Sequence, residues 1–450
     1  MKLNIDVADF INSRRISPYQ WMILVITTLI AAVDGLDVAI ISYLIPSLSH
    51  DWGLPKAAFG QVIGAGLFGV AIGALTVGPL SDRKGRKTVI LLALALCAIG
   101  TFGCAWSHSI LEMTAWRFIT GLGLGAALPN ATTILAEYSP ERHRARLIAV
   151  MFVGFSLGAA SAGFAAGWLL LLIGWHGMLV LGGVLPTLCA LLVWAVLPES
   201  ARFLVVKGAP AERVARILSR IGQLQTGHDI RFTLPELQGV QHSSIAGLFK
   251  GGLGLGSALL WLAYFMGLLV YYLLTSWLPS LIVQTGQPIA MAAVVSAMLL
   301  VGASTGTLLM GWLMDKVRPT LIVAAGFVFG SLLLVHVGRG LDSFLELEVC
   351  VFFAGFFVSG ALSSMNTLAA VFYPTQSRAS GVSWMLGIGR FGGILGAMGG
   401  GWLLGAGWDI SRIFMALAVP TLLAGLALGF KCLRYREVHE RAAGDVVGAH

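Results

Sequence analysis

The chain has 450 residues, 57% of them hydrophobic and 11% charged, with 57 glycines and a mean hydropathy of +0.86. A soluble domain carries about a quarter charged residues, so this balance excludes one and points to membrane helices whose small residues let backbones approach. The net charge of +8 would suit a nucleic-acid partner, but its placement along the chain reads as membrane topology.

Residues 1–17 are polar and lack an apolar run of signal-peptide type, so no cleaved leader is expected. Apolar spans of about 20 or more residues follow at 20–48, 58–80, 88–107, 111–136, 146–172, 177–197, 255–283, 289–313, 319–337, 345–372, 380–405 and 412–431. The first carries Asp34, Gly35 and Asp37 at its middle. A carboxylate in hydrocarbon costs roughly 2.5–3.5 kcal/mol on insertion scales, so such residues persist where they face a polar cavity. Three residues apart, the two acids share one helix face. They are candidate proton carriers.

After the second span comes Gly78–Ile90, with Asp82, Arg83, Arg86 and Lys87. The fourth span holds Arg117 followed by Gly121, Gly123 and Gly125, then Asn130, with Glu137 at its end. Buried arginine stays charged and requires an acid or an anionic ligand; being two turns inside the helix, Arg117 could also snorkel. Within the polar stretch 198–254, Val214, Ile217, Leu218 and Ile221 form an apolar helical stripe beside Arg213, Arg216 and Arg220. It reads equally as a helix lying on the anionic leaflet or as a packed connector. The seventh span contributes Tyr264, Tyr271, Tyr272 and Trp277; Asp315 and Lys316 follow the eighth; Asn366 lies on the tenth, and Trp384 and Arg390 on the eleventh. Arg390 is three turns from the nearer end, too deep for easy snorkelling. The aromatic residues could line a site, although packing and interfacial belts account for most membrane aromatics. Of five cysteines, four fall inside spans and none has metal-ligand spacing.

The chain repeats. Gly78–Ile90 matches Gly311–Val323, and Tyr138–Arg146 matches Phe372–Ser380, both at an offset of roughly 233 residues. One duplication of six helices follows, giving an all-α membrane protein with two pseudo-symmetric six-helix bundles. The boundaries are an N-terminal bundle 1–197, a cytoplasmic loop 198–254, a C-terminal bundle 255–432 and a cytoplasmic tail 433–450. With both termini inside, only Lys56, Arg339 and Arg412 fall on the outer side, and Arg117 and Arg390 within spans. That is the positive-inside pattern.

The Gly78–Lys87 loop closely resembles the signature loop of the major facilitator superfamily, and Arg117 with its spaced glycines resembles that superfamily's fourth-helix pattern. Asp34-Gly35-Leu36-Asp37 resembles the helix 1 motif of the aromatic acid:proton symporter family. Further matches are Trp277 with Pro279, Pro198-Glu199-Ser200, Tyr373-Pro374 with Arg378, and Gly389-Arg390-Phe391-Gly392-Gly393. The resemblance implies proton-coupled uptake of a carboxylate such as 4-hydroxybenzoate, benzoate or protocatechuate across a bacterial inner membrane by a monomer, without cofactor or metal. On that reading Asp34 and Asp37 are the candidate proton carriers, Arg390 or Arg117 faces the substrate carboxylate as a guanidinium can, and Asn130, Asn366, Tyr264 and Trp384 are further candidates around the substrate, alongside helix–helix bonding and packing. It implies Asp82, Arg83, Arg86, Asp315 and Lys316 as a conformational latch, whose second copy lacks the downstream glycine and arginine. Ala159 and Ala160 stand where drug exporters of the superfamily carry a proline, which disfavours efflux. Transport of another organic anion, export of a drug or solute, and a transporter-like sensor remain the alternatives. No nucleophile–base pair suggests an enzyme.

Overall fold

The structure is a computed structural model that describes residues 3–222, 230–233, 253–314, 316–340, 343–373 and 378–435. Asp315, Pro374, much of the central loop and the tail beyond 435 lie outside the described residues. The chain divides into two compact units, one of residues 1–48 and 61–240, the other of 49–60 and 241–450.

The first unit is built from β1 (Leu3–Asp6), α1 (Val7–Asn12), α2 (Pro18–Trp52), α3 (Gly60–Lys84), α4 (Arg86–Ala105), α5 (Ile110–Tyr138), α6 (Glu141–Val196), α7 (Ala201–Val206), α8 (Ala211–Leu218) and β2 (Ile230–Thr233); the ends of α2 and α3 that fall within 49–60 cluster with the second unit. The second unit contains α9 (Leu253–Gln284), α10 (Ile289–Met314), α11 (Pro319–Gly338), α12 (Phe344–Ala354), α13 (Gly360–Phe372), α14 (Arg378–Gly405) and α15 (Ile410–Arg434).

Among the described residues, ten helical stretches are long and apolar enough to span a bilayer. One of them, α6, is two helices: Gly174 has φ +64°, a conformation glycine adopts without steric cost. It splits α6 into 141–173 and 175–196. α14 has the length of a span but is diluted by glycines and Arg390. Helices α12 and α13 form one span joined by a π-helical turn, Gly355–Ser359. Among the described residues, each unit therefore carries six spanning helices.

Glycines repeat the same close crossings in both units. A Cβ on Gly158 of α6 would collide with the Ala32 carbonyl of α2, and one on Gly396 of α14 with the Leu269 carbonyl of α9. Likewise Gly121 of α5 abuts Gly66 of α3, and Gly306 of α10 abuts Phe356 in the turn joining α12 to α13. Lipid is as apolar as the side chains, so van der Waals contact between bare backbones is what holds such helices together.

The polar N-terminal segment forms regular structure from Leu3 to Asn12. Strand β1 pairs in parallel with β2, Leu3 opposite Ile230 and Asp6 opposite Thr233. Val7, Phe10 and Ile11 pack with Leu204, Val214, Leu218, Ile221 and Phe232 in one buried cluster. The α8 stripe is therefore covered by protein and belongs to a packed connector. The N-terminal residues supply the apolar partner that a lipid surface would otherwise provide.

Candidate functional site

The polar core of the first unit forms where α2, α4 and α5 meet. Gly35 lets α2 lie against the Phe155 carbonyl of α6, and Gly100 lets α4 lie against Thr120 of α5. At that depth the Arg117 guanidinium reaches Asp37: Nη1 donates to Oδ2 at 2.9 Å and Nη2 to the Asp37 carbonyl at 3.4 Å. The other carboxylate oxygen, Oδ1, accepts from the Thr101 hydroxyl at 2.9 Å. Asp37 is 2% exposed, Arg117 4% and Thr101 0%, so the pair is sealed from solvent and Arg117 does not snorkel. Asp34 is also buried, one helical turn away on α2. Gly66 faces the guanidinium, and among the described residues Arg117 Nε has no hydrogen-bond partner.

A buried ion pair gains little net stability over apolar packing, but removing one partner costs about 3–5 kcal/mol, because the other charge stays buried alone. The arrangement therefore makes the charge of Asp37 and the position of Arg117 interdependent. Protonating Asp37 would release the guanidinium to find another acceptor.

A second cluster lies at the opposite end of α4. Gly85 has φ +92°, and the chain turns there so that Glu199, beyond the end of α6, caps the start of α4. Its Oε1 accepts from the backbone N–H of Arg86 at 2.9 Å, Lys87 at 3.2 Å and Ser200 at 2.8 Å. A carboxylate is well placed there, since the first N–H groups of a helix are unsatisfied and its N-terminus is electropositive. Arg86 pairs with Asp82 at 3.3 Å and with Glu137 at 3.7 Å. Glu137 also takes the Ser200 hydroxyl, and the Tyr138 hydroxyl donates to the Glu199 carbonyl at 2.6 Å. Asp82 and Arg83 are exposed. In this unit Glu199, not Asp82, neutralises the helix N-terminus. Asn130 is engaged here too: its Oδ1 accepts from Ser81 at 2.7 Å and its Nδ2 donates to the Ala126 carbonyl at 2.9 Å. It stands about 20 Å along α5 from Arg117.

In the second unit, Gly389 of α14 lies against the Tyr264 ring of α9, and Arg390 is the next residue along α14. Arg390 is half-buried, and among the described residues no carboxylate pairs with it. Trp384 is 41% exposed and stacks on Trp261 at 6.0 Å. Asn366 is exposed, and Lys316 sits over the Trp312 ring at 3.7 Å. Trp277 is fully buried, donating to the Ala397 carbonyl at 2.6 Å, and so serves the α9–α14 contact. The structure thus joins Asp37 to Arg117 and packs Tyr264 against Gly389, the residue before Arg390.

Two participants escaped the sequence reading. Thr101 is one hydroxyl in an apolar run and carries no local signal. Glu199 stood out only as part of a motif, with no role attached.

The Major Facilitator Superfamily model matches residues 27–345 and again 260–447. The chain belongs to the major facilitator superfamily. Within that superfamily it falls in the aromatic acid transporter family: it is 45% identical over 95% of its length to the 4-hydroxybenzoate transporter PcaK of Pseudomonas aeruginosa, covering 96% of that protein. It is 44% identical to a gallate transporter of Pseudomonas putida, over 94% of each chain. In fold it is similar to a bacterial homologue of the lysosomal transporter Spinster, with a TM-score of 0.71 at 18% identity, covering 93% of this chain and 97% of that one. The D-xylose–proton symporter follows at a TM-score of 0.68 and 18% identity, over 91% and 97%. As a member of this superfamily the protein is a multi-pass membrane transporter, not an enzyme, and needs no cofactor.

Proposed function

We propose that this protein imports an aromatic carboxylate such as 4-hydroxybenzoate, benzoate or protocatechuate into a bacterial cell, together with protons, by alternating access. Both termini face the cytoplasm, as the distribution of lysine and arginine favours. The substrate class rests on the relatives named above. The coupling rests on one observation: Asp37, buried in the first unit, is ion-paired to Arg117 at 2.9 Å.

An anion entering an inside-negative cell works against roughly 2.3 kcal/mol per 100 mV. One proton taken up with it cancels that charge and adds the pH gradient as drive. A proton arriving on Asp37 breaks the pair with Arg117, and its departure restores it, so the two charge states favour two arrangements of α2 and α5. Asp34, one turn away, is the second candidate carrier. Arg390 receives the substrate carboxylate, with the Tyr264 ring beside it, because it is a cation in a membrane helix with no acid partner among the described residues. Arg86 with Asp82 and Glu137 serves as the latch that is remade in each cycle.

The test is uptake of labelled 4-hydroxybenzoate by cells or proteoliposomes under an imposed proton gradient. Wild-type protein should accumulate it, and a protonophore should abolish accumulation. Asp37→Asn should fail to accumulate substrate yet still exchange it in counterflow, which needs no net proton movement. Accumulation at the wild-type rate by Asp37→Asn and by Asp34→Asn would remove the coupling assignment.

A further inference from the structure

Thr101 has a polar partner on one helix and a glycine close by on another. Its hydroxyl donates to Asp37 Oδ1 at 2.9 Å. On its other side, a Cβ built on Gly182 of α6 would stand 3.3 Å from the Thr101 methyl. The hydroxyl is therefore committed to α2, while the methyl faces Gly182 of α6. A threonine in a membrane helix ordinarily satisfies its hydroxyl on its own helix, at the carbonyl three or four residues back, as Thr120, Thr132 and Thr187 do here. Thr101 instead spends its donor across helices. It also belongs to an α4 face, Cys97, Thr101 and Cys104, whose two thiols point at α5 carbonyls. The hydroxyl is the one strong donor on that face.

We infer that Thr101 is a positioning residue for the proton-coupling step, holding one oxygen of Asp37 so that the other faces Arg117. The inference rests on the proposed role of Asp37 and deepens it. The carboxylate does not meet the guanidinium as a two-pronged fork: Arg117 takes Oδ2 and the main-chain carbonyl, and Thr101 takes Oδ1. Without Thr101, Oδ1 would be a buried acceptor with no donor among the described residues, and the carboxylate would be free to rotate about its last torsion. The titratable groups facing Asp37 are Asp34 on its own helix, Cys97 and Cys104 on α4, and Arg117 on α5, with Cys189 of α6 behind Cys97. The thiols are uncharged at neutral pH, which leaves Arg117 and Thr101 as the groups that favour the charged carboxylate. A hydrogen bond to a carboxylate favours its charged form, so deleting the Thr101 donor removes one of the two side-chain contacts that hold the Asp37 carboxylate.

The shape of the side chain supplies the controls. Thr101→Val keeps the methyl against Gly182 and deletes the donor; Thr101→Ser keeps the donor and deletes the methyl. In proteoliposomes, Thr101→Val should lose about tenfold in uphill 4-hydroxybenzoate uptake, the size expected for one hydrogen bond to a charged group. Counterflow exchange should stay within about twofold of wild type, and the pH profile of uptake should differ from that of wild type. Thr101→Ser should restore both rate and profile. If Thr101→Val and Thr101→Ser are impaired alike with an unmoved pH profile, Thr101 only packs α4 on α6 and the inference fails. It fails equally if Thr101→Val transports as wild type while Asp37→Asn does not, an outcome that leaves the coupling role of Asp37 standing. Uphill uptake by Asp37→Asn itself would instead remove the coupling reading on which the inference depends.

Discussion

Arg117 and Arg390 are arginines held inside spanning helices, one in each unit, and their surroundings differ. Arg117 is buried and committed to Asp37, on a helix face cleared by Gly66. Arg390 is half-buried, and no described carboxylate pairs with it. The glycine crossings that position them are alike in the two units, so the scaffold is duplicated and the chemistry is not. Charge that is neutralised internally suits a switch worked by a proton. Charge left open suits a ligand that arrives with its own.

The largest effects should come from breaking the closed charge. Arg117→Ala leaves the Asp37 carboxylate buried alone, a cost of about 3–5 kcal/mol, so membrane abundance and thermal stability in detergent should fall together with transport. The double variant Asp37→Asn, Arg117→Gln should recover much of the stability and none of the uphill uptake. Separate recovery of uptake would mean that the pair is structural only.

Next in size is the shared scaffold. Gly158→Val in the first unit and Gly396→Val in the second each drive a side chain into a backbone carbonyl of the facing helix. Overpacking of this kind costs about 1–3 kcal/mol or more. Both should lower thermal stability by similar amounts. A large loss in one unit and none in the other would show that the crossings are not equivalent.

Opening the second unit's charge should affect binding more than folding. Arg390→Lys should keep wild-type abundance and lose about tenfold in 4-hydroxybenzoate affinity, because an ammonium cannot reproduce the planar fork of a guanidinium. Benzoate should compete for binding and benzamide should not. Equal competition by the amide would separate Arg390 from the carboxylate.

The smallest effect concerns the turn between α3 and α4. Glu199→Gln removes the charge that caps α4, worth on the order of 1 kcal/mol, and should slow turnover with little change in substrate affinity. Asp82→Ala removes an ion pair whose acid is 74% exposed; such pairs contribute about 0–1 kcal/mol, so stability should hardly change. Asp82→Ala should slow turnover all the same, because the pair is part of the proposed latch; wild-type turnover would remove Asp82 from it.

Much of this was written in the chain itself. Spans are legible because about 20 apolar residues are needed to cross hydrocarbon; the break at Gly174 and the doubling into six-helix units could be read from spacing and repetition. The motif residues Asp34, Asp37, Arg117 and Arg390 stood out because charge inside a span is costly and therefore conspicuous. The sequence by itself could not say that Arg117 meets Asp37, since the two are 80 positions apart and their meeting depends on how deeply glycines let α2, α4 and α5 approach. Nor could it assign Thr101 to Asp37 or Glu199 to the start of α4: a hydroxyl or carboxylate acquires its partner only once helices remote in sequence are docked. The α8 stripe shows the same limit. Its periodicity settles that one face must be covered, and only the docked N-terminal segment decides by what, because apolar burial has no direction and accepts any apolar partner that folding brings to it.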